Sequence, residues 1–211
     1  MRNIRHFIWD FDGTLFDTYP GIIGVLQKAL GQFGHSCEPA EAMKLMLETI
    51  PITRDFYADK YGIDKDALKD AYMHYHKEFV EGLESVPMVA TREVLEAICA
   101  SGRHNYIFTH RKHKETMDFL EKYDLTHYFR DIICPEHPNF AWKPAPDAVE
   151  YLMKTYDMDP AQTAMIGDRE RDLGSGRNAG IKTVHLICPM APETLDCDYR
   201  LNDLGDMLTM L

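Results

Sequence analysis

The fold is decided at the start of the chain, in Ile4-Arg5-His6-Phe7-Ile8-Trp9-Asp10-Phe11-Asp12-Gly13-Thr14. Residues Ile4 to Trp9 are rich in β-branched and aromatic side chains and are bounded by the turn dipeptide Asp12-Gly13, so they read as a buried first strand. On extended backbone, positions i and i+2 share a face. Asp10 and Asp12 are therefore expected to converge on one point at the strand's carboxyl end, with Phe11 facing away and Gly13 permitting a sharp departure. Two like charges so close want a cation, and oxygen ligands of this kind suit Mg²⁺.

Similar short strands are predicted outward from this stretch, at Asn105 to Thr109, Asp131 to Cys134, Thr163 to Gly167 and Lys182 to Ile187. Helical patterns separate them. Thr91 is a candidate N-cap before Val94, Leu95 and Ile98, with Gly102 just past the end, and further helices fit Lys112 to Tyr123, Pro146 to Tyr156 and Arg171 to Ala179. Strands alternating with helices imply right-handed crossovers and a doubly wound parallel sheet covered on both faces, an α/β class whose sites lie at the carboxyl ends of the strands. Between the first strand and Thr91 no strand candidate occurs. Residues 15–85 read as wholly helical, with one stripe at Ile22, Leu26, Ala29, Leu30 and Phe33 and another at Leu68, Ala71, Tyr72, Tyr75 and Phe79. The expected organisation is a core of residues 1–14 and 86–211 with a small helical insert at 15–85.

Composition narrows the function classes. The 211 residues carry 23 Lys plus Arg against 34 Asp plus Glu, a formal net charge of −11. That surplus opposes nucleic acid and anionic membrane as partners, though it leaves room for a locally positive pocket. Five scattered cysteines with no C-x-x-C argue for free thiols in a reducing compartment. The apolar stretch at Phe7 to Trp9 is too short for a signal peptide and no 18 apolar residues run together, so a cytoplasmic protein is expected.

The other strand ends also carry polar groups. The second ends in Thr109, whose hydroxyl suits a phosphate oxygen, followed by the basic run His110, Arg111, Lys112, His113 and Lys114. Lys143 lies in Trp142-Lys143-Pro144-Ala145-Pro146-Asp147, where two prolines stiffen the backbone and fix where the ammonium points. The fourth strand ends in Gly167-Asp168-Arg169-Glu170-Arg171-Asp172. Gly174-Ser175-Gly176-Arg177-Asn178-Ala179 matches G-x-G-x-x-A but follows an acidic turn rather than a strand, and reads as helix running to a Gly180 C-cap. Met43 and Met46 read as packing of the insert.

In this order the four strand ends resemble the motifs of the haloacid dehalogenase superfamily of phosphoryl-transfer enzymes: D-x-D-G-T at Asp10 to Thr14, a Ser or Thr at Thr109, a Lys at Lys143, and an acidic G-D-x-x-x-D at Asp168 and Asp172. The helical insert is similar to the cap of the subgroup containing phosphoglycolate phosphatases and β-phosphoglucomutases. The resemblance implies that Asp10 is the nucleophile forming an aspartyl-phosphate, and that Asp12 protonates the leaving alcohol and then deprotonates water. It implies Mg²⁺ held by Asp10, the Asp12 backbone carbonyl and Asp168, with Asp172 orienting the metal shell. Lys143 would bridge nucleophile and phosphate, and Thr109 with the backbone near Gly13 would hold the phosphoryl oxygens. Each unit charge pair at about 4 Å is worth about 4 kcal/mol at an effective dielectric near 20, so carboxylate attack on a phosphate dianion needs such cations.

The expected activity is Mg²⁺-dependent hydrolysis of a small phosphorylated metabolite by a monomer or homodimer. A phosphomutase, or a catalytically silent binding protein, is the alternative. Asp12 favours phosphate-ester chemistry, since dehalogenases of this group lack the second Asp and phosphonatases carry an Ala there. Two residues depart from the usual pattern: His110, where Asn is more common, is a candidate substrate-binding group, and Arg169 stands where Ser or Thr is usual. In the insert, Ile50-Pro51-Ile52-Thr53-Arg54 reads as a loop interrupting two helices, with Arg54 expected to reach a second anionic group of the substrate.

Overall fold

The computed structural model describes residues 1–137, 140–190, 192 and 194–211. Two compact units divide the chain, one of Met1–Asp17 with Pro87–Leu211, the other of Thr18–Val86.

The larger unit is built on one parallel sheet. Its strands are β1 (His6–Trp9), β4 (His104–Phe108), β5 (Phe129–Ile133), β6 (Thr163–Gly167), β7 (Lys182–Leu186) and β8 (Tyr199–Leu201), in the order β5-β4-β1-β6-β7-β8. The apolar opening strand sits centrally, with His6 beside both His104 and Thr163. Buried on both faces, it can be apolar at successive positions, and Phe7, Ile8 and Trp9 are all solvent-free. Ile8 packs with Tyr106, Phe108 and Met165 under Ala148, Val149 and Leu152 of α7 (Asp147–Thr155). On the opposite face the Trp9 indole N–H donates to Asn105 Oδ1 at 2.9 Å, and the Asn105 amide reaches Cys99 of α5 (Thr91–Ala100). The remaining helices of this unit are α6 (His113–Lys122), α8 (Glu170–Asn178) and α9 (Asp206–Met210). The α/β class and parallel doubly wound sheet expected from the sequence are those observed.

Several local expectations fail for identifiable reasons. Thr91 is the first helical residue rather than the cap. Ala90 holds the cap position at φ 65°, and the Thr91 hydroxyl donates to Met88 O at 2.8 Å. The edge strand β8 escaped notice because three residues, Tyr-Arg-Leu, show too little alternation. The same holds for β2 (Phe16–Asp17) and β3 (Val86–Pro87), two-residue strands in a stretch read as free of them. Leu15 and Phe16 stay with the larger unit because Leu15 O accepts Met88 N–H and Phe16 stacks on Phe11 at 4.6 Å. The G-x-G-x-x-A segment is helical as expected, but Ala179 is the C-cap of α8 and Gly180 follows it at φ 72°.

The smaller unit holds α1 (Tyr19–Gly31), α2 (Pro39–Met46), α3 (Ile50–Tyr61) and α4 (Lys65–Gly82). Ile22, Leu26, Ala29 and Leu30 are buried on α1, and Leu68, Ala71, Tyr72 and Phe79 on α4. Phe33 lies beyond the end of α1 and is 37% exposed, off the expected stripe, and Tyr75 is only half-buried. Ile50 to Arg54 is not a loop but the start of α3. Thr49 caps it by accepting Ile52 N–H at 3.1 Å, and Pro51 is tolerated because first-turn amides have no partner inside a helix. Met43 and Met46 are buried in this unit. No disulfide joins the five cysteines. Among the described residues, no helix is long and apolar enough to cross a membrane.

Gly21 and Gly24 both lie within α1, and only one is required by packing. A Cβ at Gly21 would come within 2.1 Å of the Phe79 ring, whereas one at Gly24 meets nothing within 4 Å. Gly21→Ala should therefore destabilise by about 1–3 kcal/mol, and Gly24→Ala should stabilise by up to about 1 kcal/mol through helix propensity. Urea titration of both variants reads the difference; equal effects would remove the α1–α4 contact as the reason.

Candidate active site

Parallel strands deliver their carboxyl ends to one edge of the sheet, and four expected residues arrive there, two of them by continuing the ladder. Asp10 follows β1 and its N–H donates to Ile166 O at 2.9 Å. Thr109 follows β4 and its N–H donates to Ile133 O at 3.0 Å. Asp168 follows β6, and Asp172 lies in the first turn of α8. Gly167 is required there, since a Cβ would approach the Asp172 Cβ to 2.3 Å.

The centre of the site is a fully buried ion cluster. The Lys143 ammonium donates to Asp10 Oδ1 at 2.6 Å and to Asp172 Oδ1 at 2.9 Å, and sits 4.7 Å from the Phe108 ring centroid. Arg169 spans the same acids: Nη2 lies 3.4 Å from Asp10 Oδ2, Nε 3.3 Å from Asp172 Oδ2 and 3.9 Å from Asp168 Oδ1. Thr14 donates its hydroxyl to Asp168 Oδ1 at 3.3 Å. Burial, reinforced by Asp172, pushes the Asp10 carboxyl above its ordinary value against the pull of Lys143 and Arg169. Asp172 is equally buried, yet those two cations and the Arg169 N–H outweigh burial and hold it at about 2.

Asp10, Asp168 and Asp172 each present an oxygen within 4.8 Å of the others. Three buried carboxylates against two cations leave one negative charge in excess, and every donor is a hard oxygen. This set fits a divalent cation such as Mg²⁺.

Asp12 goes elsewhere. Its carboxylate is outside that cluster; Oδ1 accepts from Arg111 Nη2 at 2.6 Å and Nε at 3.2 Å. The two acids thus face different cations, Asp10 the Lys143 ammonium and Asp12 the Arg111 guanidinium. Gly13 turns at φ 76° and donates its N–H to Phe16 O. His110 lies against the loop that carries Lys143. Its Nε2 accepts the Lys143 backbone N–H at 2.9 Å, and its ring meets Trp142 edge-on at 4.4 Å, so this nitrogen positions the lysine loop. Arg54 lies in the helical unit and pairs with Asp55 at 3.2 Å. The role of Arg111 was missed: five basic positions run together at 110–114, and only burial distinguishes Arg111 among them, with 6% exposure.

A parallel sheet that gathers acids, a threonine and a lysine at its carboxyl edge has its reactive groups where open α/β sheets place their sites. The chain belongs to the haloacid dehalogenase-like hydrolase family, whose model matches residues 7–186. It is similar to N-acetylmuramic acid 6-phosphate phosphatase of Pseudomonas aeruginosa, 26% identical over 85% of this chain and 80% of that one. It is likewise similar to pyrophosphatase PpaX of Bacillus mycoides, 25% identical over 99% of this chain and 97% of that one. Among solved structures, a predicted phosphoglycolate phosphatase from Haemophilus somnus shares the fold with a TM-score of 0.86 at 20% identity, over 100% of this chain and 99% of that one.

Burial and the nearby cations, Lys143 first, lower His110 from 6.5 to about 3, so the imidazole is neutral and able to accept. The folded state then binds fewer protons than the unfolded chain between those values. Stability present above pH 6.5 is lost as pH falls, by up to about 2 kcal/mol between pH 7 and pH 5. His110→Asn should flatten this dependence; urea titrations at pH 7, 6 and 5 with identical slopes for the two proteins would rule the coupling out.

Proposed function

We propose that this chain is a phosphatase that hydrolyses a small phosphorylated metabolite through an aspartyl-phosphate on Asp10. The observation that carries the reading is the buried Asp10 carboxylate, fixed at a strand terminus 2.6 Å from the Lys143 ammonium. An Asp10 oxygen bonds to phosphorus as the ester P–O bond breaks, and Asp12 gives a proton to the departing oxygen. Water then attacks the phosphorus, Asp12 takes its proton, and the bond to Asp10 breaks to release phosphate. Lys143 holds Asp10 and draws in the anionic phosphoryl group, Thr109 donates its hydroxyl to a phosphoryl oxygen beside the Gly13 backbone, and His110 keeps the lysine loop in place. Asp10, Asp168 and the Asp12 carbonyl, with Asp172 alongside, would hold a Mg²⁺ ion, which would supply positive charge to offset the dianion. The named activities of the relatives support this class and suggest N-acetylmuramic acid 6-phosphate, pyrophosphate and phosphoglycolate as first substrates to try.

Wild-type protein should release inorganic phosphate from p-nitrophenyl phosphate and acetyl phosphate with Mg²⁺ and lose that activity in EDTA. Asp10→Asn should lower the rate by at least about 10³-fold, as removal of a nucleophile does elsewhere; undiminished release would falsify the assignment. Arg54 is proposed to recognise the remainder of the substrate. Arg54→Ala should raise KM for the best metabolite while leaving kcat for p-nitrophenyl phosphate within about 2-fold, and an unchanged KM across the panel removes it from the site.

A further inference from the structure

Arg111 follows the proposed phosphate anchor Thr109 by two residues, and its side chain turns inward while Lys112, His113 and Lys114 stay exposed. The guanidinium side chain is 4% exposed and each of its three nitrogens donates to a carboxylate: Nε and Nη2 to Asp12 Oδ1, and Nη1 to Glu115 Oε2 at 3.3 Å. The Phe11 and Phe119 rings lie 5.7 Å and 5.3 Å from its central carbon. Its backbone N–H donates to Thr109 Oγ1 at 3.0 Å, so that hydroxyl's hydrogen is directed to another acceptor. One residue thus orients two groups of the proposed reaction through different atoms.

The chemistry of the fork gives this arrangement a consequence. A guanidinium carries only donors and does not lose its proton in proteins, so the oxygen it faces must act as an acceptor. The Nε and Nη2 bonds from Arg111 fall on the same oxygen, Asp12 Oδ1. We propose, resting on the phosphatase reading above, that Arg111 is a positioning residue for proton transfer. It fixes the rotation of the Asp12 carboxylate so that Oδ1 stays with the guanidinium and Oδ2 delivers the proton to the leaving oxygen, then takes one from water. A lysine cannot reproduce this, because its ammonium is a single point charge without the planar fork.

Leaving-group dependence separates this role from a purely structural one. p-Nitrophenolate departs readily as an anion, whereas phenolate, whose parent acid titrates near pH 10 like tyrosine, gains more from a proton. Wild type, Arg111→Met and Arg111→Lys are compared on p-nitrophenyl phosphate and phenyl phosphate, with thermal unfolding measured for each. Arg111→Met should fall several-fold on the nitrophenyl ester and about 10²-fold in kcat on phenyl phosphate, with KM nearly constant. Arg111→Lys should recover part of the phenyl phosphate loss, and it carries the test should the Met variant not fold. Equal losses on the two esters, or no loss on phenyl phosphate, overturn the inference while leaving the phosphatase reading intact. Failure of wild type to turn over either ester overturns that reading and this inference together.

Discussion

An ammonium without access to solvent is unstable unless carboxylates surround it, and much of the larger unit's geometry serves that requirement at Lys143. Removing one partner of a buried pair typically costs about 3–5 kcal/mol because the other charge is left uncompensated. Asp10 and Asp172 must therefore both be present at fixed distances, which ties the end of β1 to the first turn of α8. The glycines follow from the same constraint. Gly167 lets Asp172 close on the strand end, and Gly174 lets α8 approach Pro144, whose Cβ lies 2.9 Å from where a side chain would begin. His110 completes the frame by holding the lysine's own N–H.

The net charge of −11 acquires a different meaning inside this frame. At distances beyond about 10 Å it is screened by salt and acts chiefly against large polyanions. At the strand ends the balance is set locally, by Lys143 and Arg169 within the cluster and by Arg111 on Asp12 beside it, each engaged with acids at hydrogen-bonding or ion-pairing distance. An overall acidic protein thus presents its strand ends as paired charges rather than as a bare negative patch.

The strands were legible where four or five residues of consistent character ended in a turn or a glycine, as at Trp9, Phe108 and Gly167. Lone residues at strand ends were legible because parallel topology sends every carboxyl end to one edge. What escaped was decided by single hydrogen bonds rather than by pattern. Thr91 looks like a cap yet begins its helix, because Ala90 takes the left-handed conformation and the threonine hydroxyl answers Met88. Ile50 to Arg54 looks like a loop because of Pro51, but the preceding Thr49 supplies the cap that makes proline harmless. Asp12 reads as a partner for Asp10 from its spacing alone, which gives no sign of the Arg111 guanidinium that its carboxylate meets. The five basic residues after Thr109 are alike in sequence, and only packing between Phe11 and Phe119 selects Arg111.

The central position of β1 also governs how the chain can fold. It precedes both its partners in the chain, which begin at His104 and Thr163, so one edge waits for about half of the 211 residues and the other for most of them. Loop closure over such separations is entropically slow. Meanwhile residues Thr18–Val86 form a contiguous helical unit whose contacts are local in sequence, the kind that form early. Until the second half arrives, Phe7, Ile8 and Trp9 are an uncovered apolar segment, and the charges at Arg2, Arg5, Asp10 and Asp12 on either side act as gatekeepers against its self-association.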